Sequence, residues 1–172
     1  EAKRAKINVI AIVVNHNLQK GSKEIAELAK TTLMELGFVT VEVVEVKVVV
    51  GSLGMEAAAR NARYGTIDDF AKQFGAKYSM LGHTLDDQAE TVLINLLRGA
   101  GAQGLAAMRP GMTRPLLALR RADTHALCLA AGIATLDDST NADPRFQRNR
   151  VRNELLGLMA DISQRDPVPL LV

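Results

Sequence analysis

Two β-branched runs, Ile7–Val14 and Val39–Val50, flank a stretch with helical periodicity, and that spacing leaves the chain few folds. The first run is apolar almost throughout, as in a parallel strand buried on both faces. Between the runs, Ile25, Leu28, Ala29, Leu33 and Leu36 recur at helical spacing, with Ser22 placed to cap that helix and Gly37 to end it. The second run carries Glu42, Glu45 and Lys47 and reads as a strand exposed for part of its length. A loop at Gly51-Ser52-Leu53-Gly54 leads to a helix over Met55–Phe74, a short strand over Lys77–Leu81 and a helix over Leu85–Leu97. Strand and helix alternate in crossover-length units, which predicts an α/β fold with a parallel sheet flanked by helices. Past Arg98, Gly99, Gly101, Gly104, Pro110, Gly111 and Pro115 break the pattern. Only two helices follow, around Arg121–Ala131 and Arg145–Met159, so the C-terminal portion is expected to be helical. The expected organisation is an α/β core over 1–98, a loop-and-helix extension of the same domain over 99–165, and a tail or linker start over 166–172.

Composition narrows the class. Of 172 residues, 48% are hydrophobic and 23% charged, which excludes disorder, collagen and coiled coil as the main architecture. The longest uncharged apolar run is too short to cross a bilayer. Asn8 interrupts it and Asn15-His16-Asn17 stands where a leader would carry small residues, so it does not read as a signal peptide either. A single cysteine, Cys128, excludes disulfides and paired-thiolate metal sites within the chain, and a cytoplasmic setting is expected.

Net charge is only +2, but its distribution is uneven. Arg98, Arg109, Arg114, Arg120 and Arg121 occur in one stretch with no acid, a local +5, while Asp86, Asp87 and Glu90 form an acidic knot just upstream. The plain reading of those arginines is that they are solvated or pair with acids elsewhere. In the helix from Met55, the stripe of Ile67, Phe70 and Phe74 projects back onto Glu56, Arg60 and Arg63. In the next helix, the stripe of Leu93 and Leu97 projects back onto Glu90 and Asp86. Charged side chains are rarely buried unless paired or bound. Both helix starts should lie at one sheet edge, so their charges are expected to converge there, with His83 adding a titratable group. Asp87 taken alone is explained by capping, since Thr84 precedes it by three residues. The whole set exceeds what a cap needs. Three acids suggest a cation, an ammonium or Mg²⁺, and the arginines suggest a phosphate or carboxylate.

The run Gly82-His83-Thr84-Leu85-Asp86-Asp87-Gln88-Ala89-Glu90-Thr91, continuing into Arg98-Gly99-Ala100-Gly101, closely resembles the tRNA(Ile)-lysidine synthetase family. Further matches keep the family's order along nearly the whole chain. They are Val13-Val14-Asn15-His16, Glu56 with Ala59-Arg60 and Arg63-Tyr64, Arg114-Pro115-Leu116-Leu117, Asp138-Ser139 with Asn141, and Arg148-Asn149-Arg150 with Arg152. That family belongs to the PP-loop ATP pyrophosphatases, whose fold is Rossmann-like. The resemblance implies use of ATP with Mg²⁺ to adenylate C2 of the wobble cytidine of a tRNA(Ile) with a CAU anticodon. Free lysine then attacks C2 to give lysidine. Carried over by position, Asp87 and Glu90 hold the lysine ammonium, and a carboxylate there can take up its proton. Arg63 steadies the adenylated intermediate, Arg60 and His83 support it, and Asp86 serves Mg²⁺ or orientation. Arg98, Arg114, Arg148 and Arg152 become candidates for tRNA phosphates, each equally explained as a structural ion pair. A homodimer is left open.

One departure stands out. The family's S-G-G-x-D-S phosphate loop has no counterpart here, since Gly51-Ser52-Leu53-Gly54 is a different kind of loop. The chain also opens on Glu1, so the first strand, that loop and the following helix are expected to be missing, as are further C-terminal domains. The chain as it stands is therefore expected not to hydrolyse ATP. Two other readings compete. One is another PP-loop enzyme, thiolating tRNA or forming amides, although thiolation normally needs the paired cysteines this chain lacks. The other is a nucleotide- or tRNA-binding module without catalysis.

Overall fold

A computed structural model describes residues 7–17, 21–48, 54–135 and 139–172, with the side chains of 54–57 and 139–140 excepted. The chain divides into two compact units, Glu1–Ser79 and Met80–Val172. The helix over Leu85–Leu97 thus belongs with the C-terminal segment, and the unit boundary falls before it instead of after Arg98.

In the first unit, β1 (Ile10–Asn15) and β2 (Thr40–Glu45) pair in parallel, with Ile10 opposite Thr40 and Asn15 opposite Glu45. The crossover is α1 (Ser22–Glu35), whose Ala26 is buried. Both strands are shorter than their β-branched runs, because each extends only as far as its partner's ladder. Ser22 is the first residue of α1, not its cap; Gly21 takes that position in the left-handed region at φ +83°. The helix ends as expected: Gly37, at φ +90°, donates to Met34 O, and Phe38 donates to Leu33 O, the two bonds of a Schellman motif. Helix α2 (Gly54–Gln73) follows, with Phe70 and Phe74 stacked at 5.9 Å. The loop at 51–53 lies outside the described residues.

The strand expected over Lys77–Leu81 does not form. Leu81 N–H donates to Thr113 O, a single bond, whereas a strand requires a ladder; Tyr78 and Met80 are exposed.

The second unit is built on α3 (Leu85–Leu97), followed by α4 (Ala102–Leu105) and α5 (Arg121–Ala130). A helical rod then runs through α6 (Gln147–Arg150), a π-turn (Val151–Leu155) and α7 (Leu156–Ser163). Leu93 and Ile94 of α3 pack against Val151 of the π-turn, joined by Leu155, Leu156, Met159 and Leu171. Leu97, expected to face inward, is 60% exposed; the apolar face of α3 turns through Ile94 instead. The segment after 165 is not a free tail: Asp166 pairs with Arg120, and Val168 is buried. Gln88 fixes the loop after α4, its Oε1 accepting from Met108 N–H and its Nε2 donating to Met108 O, both at 2.9 Å. Among the described residues no helix is long and apolar enough to cross a membrane.

Candidate functional site

The acidic knot sits on the first two turns of α3, where helix geometry puts Asp86 and Glu90 on one stripe with Asp87 beside them. Thr84 caps the helix. Its backbone N–H and its hydroxyl both donate to Asp87 Oδ2 at 2.8 Å, and Asp87 N–H returns a long bond of 3.5 Å to Thr84 Oγ1. The capping explanation for Asp87 therefore holds, but it uses only one carboxylate oxygen. Oδ1 faces three guanidiniums: Arg121 at 3.2 Å, Arg152 at 3.7 Å and Arg148 at 3.9 Å.

Glu90 is completely buried, and a buried carboxylate must be neutralised. Its Oε1 accepts from Arg152 Nε at 2.7 Å and Arg121 Nη2 at 2.9 Å. Its Oε2 accepts from Arg148 Nη1 and Arg152 Nη2, both at 3.2 Å. Asp86 accepts from Arg121 N–H at 2.7 Å and from Arg120 Nε and Nη2, and Arg120 also pairs with Asp166. Four guanidiniums thus meet four carboxylates, drawn from α3, the start of α5, the rod and the C-terminal segment.

Burial alone would raise the carboxyl pKa of Asp86, but hydrogen bonds from Arg120 and Arg121 N–H outweigh it and hold the group below its ordinary value. At Asp87 burial again opposes, and the Thr84 bonds with the Arg121 and Arg148 charges win, so its pKa is lowered too. Bonding to Arg120 likewise depresses Asp166, and Arg120 itself is raised by Asp86 and Asp166.

The structure brings Asp86, Asp87 and Glu90 together and, of the two readings open for Arg148 and Arg152, shows the ion pair. Arg148 and Arg152, taken as candidates for external phosphates, are committed to Glu90. Arg120 and Arg121 were counted in the basic stretch yet not placed in the site. The adjacency of a +5 stretch to an acidic knot was the signal that pointed to them. Arg98 is exposed and reaches Gln147 Oε1 at 3.4 Å; Arg114 is half-buried, with its Nε unpartnered. His83 stands one residue before the cap. The acids do not fit a Mg²⁺ cage, because guanidiniums and backbone N–H groups already fill their oxygens. Among the described residues no group of three His, Cys, Asp or Glu could hold a metal.

The remaining predicted residues belong to the first unit. Arg60 lies over the Tyr64 ring at 5.0 Å, and Arg63 approaches His16 Nε2 at 3.1 Å through Nη2 and 3.3 Å through Nε. At the carboxyl end of β1, Asn15 Nδ2 and His16 Nδ1 are buried with no partner. Burial, followed by the Arg63 charge, lowers the His16 pKa and favours the neutral ring. Arg63 donating to Nε2 places the ring proton on Nδ1, so the unpartnered atoms here are donors, a set that suits an acceptor-rich ligand such as a nucleotide. Asp138 and the side chain of Glu56 lie outside the described residues.

A family model described as a PP-loop domain matches residues 1–159. The tRNA(Ile)-lysidine synthase of Mycobacterium tuberculosis is 44% identical over 155 residues, covering 88% of this chain and 46% of the relative. That of Rhodococcus jostii is 45% identical over 158 residues, covering 90% and 47%, and that of Leifsonia xyli 44% over 162 residues, covering 92% and 48%. The chain spans about half the length of these relatives.

Proposed function

The chain belongs to the PP-loop domain family, and from that premise we propose that it is the nucleotide-handling part of an ATP-dependent ligase. The ligase would join free lysine to C2 of the wobble cytidine of tRNA(Ile) with a CAU anticodon. Support comes from relatives at 44–45% identity that carry the name tRNA(Ile)-lysidine synthase. In this reading the C2 oxygen of cytidine is first adenylated from ATP with release of pyrophosphate. The lysine amine nitrogen then bonds to C2 and loses a proton, and the bond from C2 to the AMP-bearing oxygen breaks. Mg²⁺ would arrive on the ATP phosphates, with no carboxylate of the described residues assigned to it.

The observation that carries the reading is the pair of buried, unpartnered donors at the carboxyl end of β1, Asn15 Nδ2 and His16 Nδ1, which suit an acceptor-rich nucleotide. Because its pKa is depressed, Asp87 stays ionised and is a weak base. Of the two roles the resemblance gives it, holding an ammonium fits an ionised carboxylate better than accepting a proton does, with Arg121, Arg148 and Arg152 already facing its Oδ1. Arg63 is assigned to the adenylated intermediate, with Arg60 and His83 in support. Arg98 and Arg114 remain the arginines for tRNA phosphates. A homodimer is an assembly to be checked on the full-length gene product.

Asp87→Asn in that product tests the role of Asp87. AMP transfer to tRNA should stay within a few-fold of wild type while the KM for lysine rises about 10-fold or more, the worth of one charge-assisted hydrogen bond. Equal loss of both steps would assign Asp87 to the fold instead.

A further inference from the structure

Arg60 and Arg63 share one face of α2, and each is met by a neutral side chain. Arg60 lies over the Tyr64 ring at 5.0 Å, and its Nη2 donates to Tyr64 Oη at 3.3 Å. Arg63 Nε donates to His16 Nε2 at 3.3 Å, and Arg63 Nη2 stands 3.1 Å from the same nitrogen. His16 follows β1 directly and lies 47 residues from Arg63, so this contact is a product of packing within the first unit. The second unit anchors its arginines differently. Arg120, Arg121, Arg148 and Arg152 are fixed by carboxylates, which cancel the charge they hold. A neutral imidazole accepts the same bond and steers a guanidinium without adding negative charge. An exposed arginine without an anchor samples many rotamers, and a ligand must then supply the ordering itself.

Resting on the lysidine reading above, in which Arg63 steadies the adenylated intermediate, we propose that His16 is the positioning residue that aims Arg63 at the phosphate of that intermediate, and that it does so only as the neutral ring protonated on Nδ1. A protonated His16 would turn an Nε2–H toward Arg63, setting donor against donor and cation against cation. Burial opposes that change. Burial first, and then the Arg63 charge, keeps the ring pKa below its ordinary value, so the anchor is in place at neutral pH. Arg63 is the charge from α2 that acts on the ring. Beside it, Glu45 at the end of β2 accepts from Asn17 Nδ2 at 3.4 Å, and α1 brings the neutral Ser22 to Asn17 Oδ1. Acid therefore releases Arg63, and the release belongs below about pH 6.5.

The tautomer can be read directly. In full-length protein carrying ¹⁵N-labelled histidine, long-range proton–nitrogen correlation should show His16 as the Nδ1–H form, and Arg63→Met should raise its pKa. An Nε2–H ring, or a pKa that Arg63→Met leaves unmoved, would overturn the proposal without touching the lysidine reading. The functional arm is AMP transfer to tRNA(Ile) in the absence of lysine. His16→Leu should slow it about 10-fold, the value of a hydrogen bond to a charged group. His16→Gln, whose amide oxygen accepts the same bond, should recover most of that loss at neutral pH. Wild type should lose AMP transfer as the pH falls below about 6.5, and His16→Gln should not. An acid limb that survives in His16→Gln belongs to another group, such as His83, and contradicts the assignment, as does full activity in His16→Leu. If wild type binds ATP but transfers no AMP to tRNA, the lysidine reading itself falls and takes the role of His16 with it.

Discussion

One cluster of buried polar groups in the first unit and one in the second are handled in opposite ways, although the second unit also leaves Arg114 Nε unpartnered away from its acidic knot. In the first, the carboxyl end of β1 keeps Asn15 Nδ2 and His16 Nδ1 buried without partners, and the nearby Arg63 is exposed. In the second, every carboxylate of the acidic knot is bonded, and the most buried of them, Glu90, receives four bonds from three arginines. Buried polar groups normally find partners, so the first arrangement leaves donors over while the second has balanced its charges internally. The contrast bears on function. Leftover donors suit an acceptor-rich ligand, whereas a balanced network holds its arginines in fixed positions and offers a ligand only the edges it does not use.

The contrast can be broken most severely at Glu90. Glu90→Ala strips three guanidiniums of their shared counter-ion and should cost about 3–5 kcal/mol of unfolding free energy, read by denaturant titration. A loss below 1 kcal/mol would show that the network is not what secures the second unit. Gln88→Ala, which frees Met108 N–H and O from their common partner, should cost about 2 kcal/mol by the same titration. Thr84→Ala removes the cap and should cost about 1 kcal/mol. In the first unit, Asn15→Ala should cost less than any of these. It loses one bond, from Asn17 N–H at 3.0 Å, while removing an unpaired buried amide.

The units should also part company on acidification. His16 has a depressed pKa, so its unfolded form binds the proton first. The first unit's contribution is complete above about pH 6.5 and declines as pH falls toward the folded value. Asp86, Asp87 and Asp166 are depressed as well, so the second unit keeps their contribution until the pH drops below about 4, then loses it as they protonate. Hydrogen exchange followed separately in each unit should show two windows, the upper one abolished by His16→Gln and the lower one reduced by Asp86→Asn. A single shared window would contradict the assignment. The smallest effect belongs to the exposed Arg150–Glu154 pair, 2.8 Å apart. Glu154→Gln should leave stability indistinguishable from wild type.

These differences mirror what was legible in the sequence. Periodicity and caps located α3 at Leu85–Leu97 and the Schellman end of α1 at Gly37, because those signals are local. The strand over Lys77–Leu81 failed because a strand depends on a partner, and apolar residues do not announce whether one is beside them. The acids of the site were found because charge on a core stripe is locally anomalous. Their partners were not, since Arg121 is 31 residues from Glu90 and Arg152 is 62. Pairing at such separations is a property of the packed unit, and the sequence offered only opposite charge blocks in succession.

The central proposal is that this chain forms part of an enzyme that uses ATP to transfer lysine to tRNA. It is tested most directly by incubating the full-length gene product with tRNA(Ile), ATP and radiolabelled lysine, and counting label retained on the tRNA. The account predicts label that depends on ATP and falls at limiting lysine in Asp87→Asn. A full-length protein that binds ATP yet leaves the tRNA unlabelled would contradict it and return the chain to the wider PP-loop family.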